Sequence, residues 1–351
     1  MSAAEDRSEN IRLLRESAAA IVPQTDLRRI RALRFQDPGF SRETWTEMCD
    51  LGWIALRVPE AQGGSGLGVP EYCALAEELG RGLVPEPFIP AVTAARVLSG
   101  GALSDAMSGA RVILPAWQER ASTLDAQGDT TVAGGRANGR KLYIPQAAGA
   151  DAFVVSGRDG LALVARDAAG VSLAIERTQD GGNFGTLTLE NAACTPLKGD
   201  LSDALEEAAL ATGAYLLGVM DRAFAITLDY MKTRKQFGRA IGSFQALQHR
   251  AADLKIQVAL TRASVEAAAV TLETSQHKAL RQAAVSRAKA RAAEAGMLVT
   301  RQCIQLHGGI GYTDEADVGL FLRKAMVLAN LYGGAGLHRA RYAEVAPDDD
   351  E

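Results

Sequence analysis

The sequence predicts an α+β chain in three zones: helices first, a small β-domain in the middle, and a long helical bundle last. Three observations carry this. Alanine is abundant while aromatic residues make up only 5% of 351 residues, which favours close-packed helices over a β-sandwich. Short β-branched and apolar runs separated by Gly, Asn and Asp are confined to residues 111–199. From residue 200 onward, long apolar stripes run with few breakers, the pattern of an antiparallel bundle. Strands and helices do not alternate, which argues against a doubly wound sheet, and no GxGxxG follows a predicted strand. The expected division is an N-terminal helical domain at 1–110, a middle β-domain at 111–199, and a C-terminal four-helix bundle at 200–351.

In the first zone, SRETWTEMCDLGWIAL offers Ser41 as an N-cap, with Glu43 and Thr44 in the first turn. Trp45, Met48, Leu51 and Ile54 then recur at helical spacing. RVPEAQGGSGLGVPEYCALAEELGRG breaks at Pro59, passes a Gly-rich turn and opens a helix at Pro70. In the second zone, RVILPAW, DTTVAGGRANGRKLYIP, DAFVVSGRDGLALVAR, VSLAIER and FGTLTLENA read as five to seven antiparallel strands. Asn138-Gly139 is its hairpin signal. In the third zone, Leu254, Val258, Val265 and Leu272 fall on one helix face. A less regular stripe follows, Leu280, Val285, Ala288, Leu298 and Ile304, interspersed with Arg287, Lys289 and Arg291. The tail APDDDE reads as an acidic, frayed end.

Composition excludes several function classes. A net charge of -4 provides no global field for nucleic acid. Cys49, Cys73, Cys194 and Cys303 form no CxxC pair and the four histidines are scattered, so neither a metal site nor a disulfide framework is expected. Buried free thiols in a reducing cytoplasm are the expectation. The N-terminus, MSAAEDRSENIRLLRES, lacks the apolar core of a signal peptide. No apolar run approaches the ~20 residues of a membrane span.

Two stretches carry chemistry. YMKTRKQFGRAIGSFQALQHRAADL sets Lys232, Arg234, Lys235 and Arg239 beside Gly238, Gly242 and a helix that starts near Ser243. That is either a phosphate cradle or a solvated basic helix end. In QCIQLHGGIGYTDEADVGLFLRKA, Gln305 closes a helix, and Gly308, Gly309 and Gly311 would let another group approach the backbone. The plainer reading is a helix–helix turn, with Asp314 or Asp317 beginning the next helix.

Together these stretches resemble the acyl-CoA dehydrogenase family. TRKQFGRAIGSFQALQHRAAD is similar to its R-x-x-F-G-x-x-I-x-x-F-Q signature, and QLHGGIGYTDE to its Q-x-x-G-G-x-G-[YF] signature. LGWIALRVPEAQGGSGLGVPEYCALAEELGR is similar to its first helical domain. The resemblance implies FAD, an acyl-CoA thioester oxidised at its Cα–Cβ bond, and an electron-transfer flavoprotein as electron acceptor. It matches Arg234, Gln236 and Phe237 to positions that touch a neighbouring subunit's cofactor, and Gln305, Gly308 and Gly309 to positions along its ADP part. Phe237 and Phe244 suit either a flat cofactor surface or the core. Tyr143, Ile144 and Pro145 match the strand beside the flavin. The family's P-G-[AS]-G-S-D loop is replaced by LPAWQERASTLDAQGD, where Trp117, Gln118 and Glu119 stand. The short β-domain resembles a bacterial subgroup, some of whose members take steroid side-chain or other bulky acyl-CoA substrates.

The resemblance also implies a glutamate base in a Y-E-G-T motif, but LYGGAG puts Gly333 there. Some relatives place the glutamate before the first bundle helix, where ungapped spacing gives Ala208. Glu206 and Glu207 lie one or two residues earlier, a rotation of roughly 100 to 200 degrees on a helix. Their plainer role is a charged first turn. Asp221, Tyr215 and Tyr332 are further candidates. A cofactor signature without a base suggests one half of an unlike-subunit tetramer, the partner supplying the base. The alternatives are a homo-oligomeric dehydrogenase with a shifted base, an oxygen-consuming flavin enzyme, and a non-redox acyl-CoA-binding or scaffold protein.

Overall fold

A computed structural model describes residues 3–22 and 26–346; the acidic tail beyond 346 lies outside the described residues. Six helices come first: α1 Ala3–Ala18, α2 Arg28–Leu33, α3 Arg42–Asp50, α4 Val69–Arg81, α5 Phe88–Ala95 and α6 Gly100–Met107. Eight strands follow: β1 Ile113–Ala116, β2 Thr131–Ala133, β3 Arg136–Pro145, β4 Ala152–Gly157, β5 Gly160–Ala165, β6 Val171–Arg177, β7 Asn183–Ala193 and β8 Thr195–Leu197. The remainder is α7 Ser202–Thr233, a hairpin of β9 Lys235–Gln236 and β10 Arg239–Ala240, then α8 Gln245–Thr274, α9 Lys278–His307, α10 Val318–Leu328 and α11 Ala335–Ala343. N-terminal helices, a small sheet domain and a C-terminal helical region are the expected α+β architecture. Two compact units form. One comprises Met1–Leu27, Cys73–Val84 and Ala209–Glu351, and the other Arg28–Tyr72 and Pro85–Ala208.

In the strand-bearing unit, the Ser41 side chain accepts from Thr44 N at 3.2 Å and caps α3. Trp45 and Met48 are buried as their spacing requires. Left-handed Gly52 ends the helix, so Leu51 is exposed, and Ile54 is buried beyond the helix rather than on its stripe. The strands make two four-stranded sheets, ordered β1-β4-β5-β8 and β2-β3-β7-β6. This corrects the expectation of five to seven antiparallel strands in two respects. There are eight strands, since β8 is a three-residue segment too short to show alternation. The β1·β4 pair is parallel, because the chain visits the second sheet between them.

Asn138-Gly139 is not the hairpin turn. Gly134 and Gly135 are, at φ 58° and 72°, joining Ala133 to Arg136. Gly139 instead marks a register shift in β3; a Cβ there would lie 2.4 Å from Thr130 Oγ1.

In the helical unit, Leu254, Val258, Val265 and Leu272 of α8 are all buried, each worth about 1.5–3 kcal/mol. On α9 the expected stripe is only partly a core face. Val285, Ala288 and Ile304 are buried, but Leu280 and Leu298 face solvent, while Lys289 is wholly buried. Helix α7 crosses α4 at glycines. A Cβ on Gly218 would lie 2.0 Å from Glu77 O, and one on Gly80 2.1 Å from Tyr215 O. Arg262 then reaches both oxygens of Glu77, at 2.7 and 2.9 Å. Helix α7 is long and apolar enough to cross a membrane, with a mean hydropathy of 1.3 over 18 residues. Of that window 78% is buried inside the fold, as in a core helix.

Candidate functional site

The basic signature forms the end of α7 and the hairpin after it. Gln236 pairs with Arg239, leaving Phe237 and Gly238 as a two-residue turn at φ 53° and 80°. The Phe237 ring is 90% exposed, so it is no core residue. It meets the half-buried Phe244 edge-on at 6.1 Å, and Arg239 lies over the Phe244 ring at 4.1 Å. Arg234, Lys235 and Gln236 are exposed beside it. Phe244 caps α8 with no side-chain bond; its carbonyl accepts from Leu247 N at 3.0 Å and Gln248 N at 3.1 Å.

The glycine signature follows α9. Gln305 is exposed on the last turn. A Cβ on Gly308 (φ 68°) or Gly309 would meet nothing within 4 Å. Gly311 differs: its Cβ would lie 2.7 Å from Ile304 O, so that glycine serves packing. Tyr230 of α7 stacks on His307 of α9 at 4.4 Å and 17°. Burial lowers the His307 pKa, and its Nδ1 donates to Cys303 O at 2.8 Å. This stack joins the two helix ends that carry the two signatures, four residues before Arg234 and one before Gly308. Asp314 pairs with Arg323 at 3.0 Å, and Asp317 stands at the N-cap of α10, its side chain making no cap hydrogen bond.

Tyr143 and Pro145 lie in the strand-bearing unit. Tyr143 is left-handed at φ 56°, exposed, and edge-on to Phe184 at 6.3 Å; Ile144 is buried and Pro145 ends β3. Trp117 is buried, and Glu119 ties the loop behind it. Its carboxylate accepts from Asp129 N at 2.7 Å, Thr130 N at 2.9 Å and Lys141 Nζ at 2.7 Å. Burial alone would raise the Glu119 pKa, but Lys141 and the Thr130 and Asp129 bonds outweigh it and hold it at about 2. Lys141, absent from the sequence reading of this loop, is fully buried and also donates to Trp117 O.

Three of the candidate bases, Glu207, Asp221 and Tyr215, are engaged by other groups. Glu207 is buried and gripped by Arg57, with Arg96 at 3.6 Å; Glu206 is half-buried; Ala208 is buried. Asp221 pairs with Arg81, and the Tyr215 hydroxyl donates to Val84 O at 2.9 Å. Tyr332 is buried and left-handed at φ 53°, and Gly333 follows at 96°. A Cβ on Gly333 would sit 2.8 Å from His338 Nε2 and 2.8 Å from Leu337 Cδ2.

Two groups that sequence reasoning missed surround this turn. Lys289 Nζ donates to Gly333 O at 2.8 Å and Ala329 O at 3.1 Å. His338 Nε2 donates to Tyr332 O at 2.9 Å, which leaves Nδ1 to accept from Ser286 Oγ at 3.3 Å. Burial lowers the Lys289 pKa to about 7. Burial first, and then the Lys289 charge, lower His338 to about 3. The only sequence sign of Lys289 was a cation inside an alanine-rich stripe.

The chain is similar to known proteins along most of its length. A family model described as the acyl-CoA dehydrogenase N-terminal domain matches residues 8–101, and one described as the C-terminal domain matches 200–346. The chain is 31% identical over 336 residues to acyl-CoA dehydrogenase IpdE2 of Mycolicibacterium smegmatis, covering 93% of this chain and 95% of that one. It is 32% identical over 323 residues to acyl-CoA dehydrogenase FadE27 of Mycobacterium tuberculosis, covering 84% and 86%. Among solved structures, a variant of the Tcur3481-Tcur3483 steroid ACAD superposes with a TM-score of 0.85 at 29% identity, covering 98% of both chains. The ChsE4-ChsE5 complex from Mycobacterium tuberculosis gives 0.83 at 27% identity, covering 98% and 97%.

Proposed function

Because the chain belongs to the acyl-CoA dehydrogenase family, we propose that it is an FAD-dependent dehydrogenase subunit that relies on a related partner subunit for its catalytic base. The reading includes a steroid-type or similarly bulky acyl-CoA substrate, a cytoplasmic location and an electron-transfer flavoprotein as acceptor. It keeps three domains at 1–110, 111–199 and 200–351. The observation that carries it is the contrast between an exposed cofactor signature and a base position closed to side chains. Arg234, Gln236 and Phe237 stand in solvent, while Gly333 is left-handed and a Cβ there would lie 2.8 Å from both His338 Nε2 and Leu337 Cδ2.

The residues present fit FAD. Arg234 is a cationic fork suited to a pyrophosphate. Gln236 and Gln305 add exposed amides, and the open space over Gly308 and Gly309 admits close backbone approach. Phe237 and Phe244 supply apolar ring surface. Tyr143 and Pro145 line the strand assigned beside the ring system. When bound, FAD supplies the hydride acceptor. This chain's residues bind and orient. Two of its candidate carboxylates, Glu207 and Asp221, are held by arginines, which supports a base from elsewhere. On this reading the substrate α-proton goes to the partner's carboxylate. The assembly read here pairs unlike subunits, in line with a relative solved as a ChsE4-ChsE5 complex.

Co-expression with glutamate-bearing relatives, followed by native mass and flavin stoichiometry, tests the reading. A stable mixed complex that turns over acyl-CoA is the expected result. Full flavin occupancy and turnover by this chain alone would reject it. A colourless chain in every combination would favour the non-redox acyl-CoA-binding reading.

A further inference from the structure

Tyr332 and Gly333 are consecutive left-handed residues, and each hands its carbonyl to a different buried basic side chain. His338 from α11 takes Tyr332 O, and Lys289 from α9 takes Gly333 O. Lys289 also takes Ala329 O, one of the carbonyls left over at the end of α10. A left-handed pair turns its carbonyls away from the preceding helix, so backbone N–H groups cannot satisfy them. Burying a lysine is costly, and among the described residues Lys289 makes no ion pair. Carbonyl capture is the favourable interaction that offsets the cost. His338 does a second job. Its ring, together with Leu337 Cδ2, lies 2.8 Å from where a Cβ at 333 would stand.

We propose that Lys289 and His338 are positioning residues that lock the 332–333 turn and exclude any side chain there. The vacant base position is then a fixed wall and not a loop that a restored acid could re-enter. The consequence for catalysis rests on reading Gly333 as the base position; the lock itself does not.

Hydrogen–deuterium exchange of the complex as isolated tests the lock. Lys289→Met leaves two buried carbonyls unmet. Peptides spanning 328–338 should exchange at least about tenfold faster, while α8 peptides spanning 254–272 stay unchanged. His338→Gln keeps an N–H near the Nε2 position and should retain most of the protection; His338→Leu should lose it. Unchanged exchange in Lys289→Met, or equal acceleration in both regions, would overturn the proposal. If Lys289→Met does not fold, Lys289→Gln, which keeps an amide donor on a shorter side chain and cannot meet both carbonyls, should still speed exchange at 328–338, by less, with 254–272 unchanged; no change there would overturn the proposal. Gly333→Glu supplies an independent arm. A lower Tm with no gain in acyl-CoA oxidation is expected, and a gain would overturn the lock. Turnover by the unaltered chain alone would instead sink the partner-base reading and leave the exchange result standing.

Discussion

Arg57 holds both carboxylate oxygens of Glu207, Nε to Oε2 at 3.0 Å and Nη2 to Oε1 at 2.7 Å, with both side chains largely out of solvent. A carboxylate gripped in this way is a structural anchor. Glu207→Gln should destabilise the protein by about 3–5 kcal/mol in urea unfolding, because it leaves Arg57 buried without its counter-charge. Turnover of the folded complex should fall far less than the ~10²–10⁴-fold that losing a general base costs. The opposite pattern, intact stability with abolished turnover, would restore Glu207 as the base.

Removing Arg234 should loosen the flavin. Arg234→Ala deletes a charged donor, a loss of about 1.5–3 kcal/mol in FAD affinity, read by equilibrium dialysis of the complex. Phe237→Ala should also weaken retention. It should leave the unfolding free energy of the isolated chain within about 0.5 kcal/mol of its starting value, since the ring is 90% exposed.

Acid should weaken the fold through its buried histidines. In the unfolded chain His338 binds a proton below its ordinary 6.5, but in the fold only below about 3. Between those values the unfolded state holds more protons, so stability falls as pH drops from 6.5 towards 3. His307 is lowered as well and acts with the same sign. The fall in Tm between pH 6.5 and 5 should be shallower in His338→Gln. Lys289 acts in a higher window. Its contribution rises with pH from about 7 to 10.5 and is flat below.

Glycine at the α4–α7 crossing should be irreplaceable. Gly218→Ala forces a methyl to within 2.0 Å of Glu77 O, and a backbone atom cannot rotate away. A loss of about 1–3 kcal/mol is expected by chemical denaturation. Gly101→Ala, whose Cβ meets nothing within 4 Å, is the matched control.

Regular periodicity made much of this fold legible. The α8 face at Leu254, Val258, Val265 and Leu272 is buried as its spacing requires, and Ser41 caps α3. Competing local signals were harder. Gly134-Gly135 and Asn138-Gly139 both offer turn chemistry within six residues, and only the strand register decides between them. Leu280 and Leu298 look like core by type but face out, because alanines are enough to pack α9 closely. At the candidate site, the two signatures fall at the ends of α7 and α9, which the Tyr230–His307 stack joins. Lys289, Lys141 and His338 stayed hidden because their roles depend on carbonyls and carboxylates brought in from remote segments. A buried lysine looks like a surface lysine until its acceptors are known.

A phenyl ring at the tip of a two-residue hairpin, held out in water by a left-handed backbone, has a cost for any molecule that travels alone. Phe237 would make an unaccompanied chain adhesive, prone to self-association through a finger meant for something else.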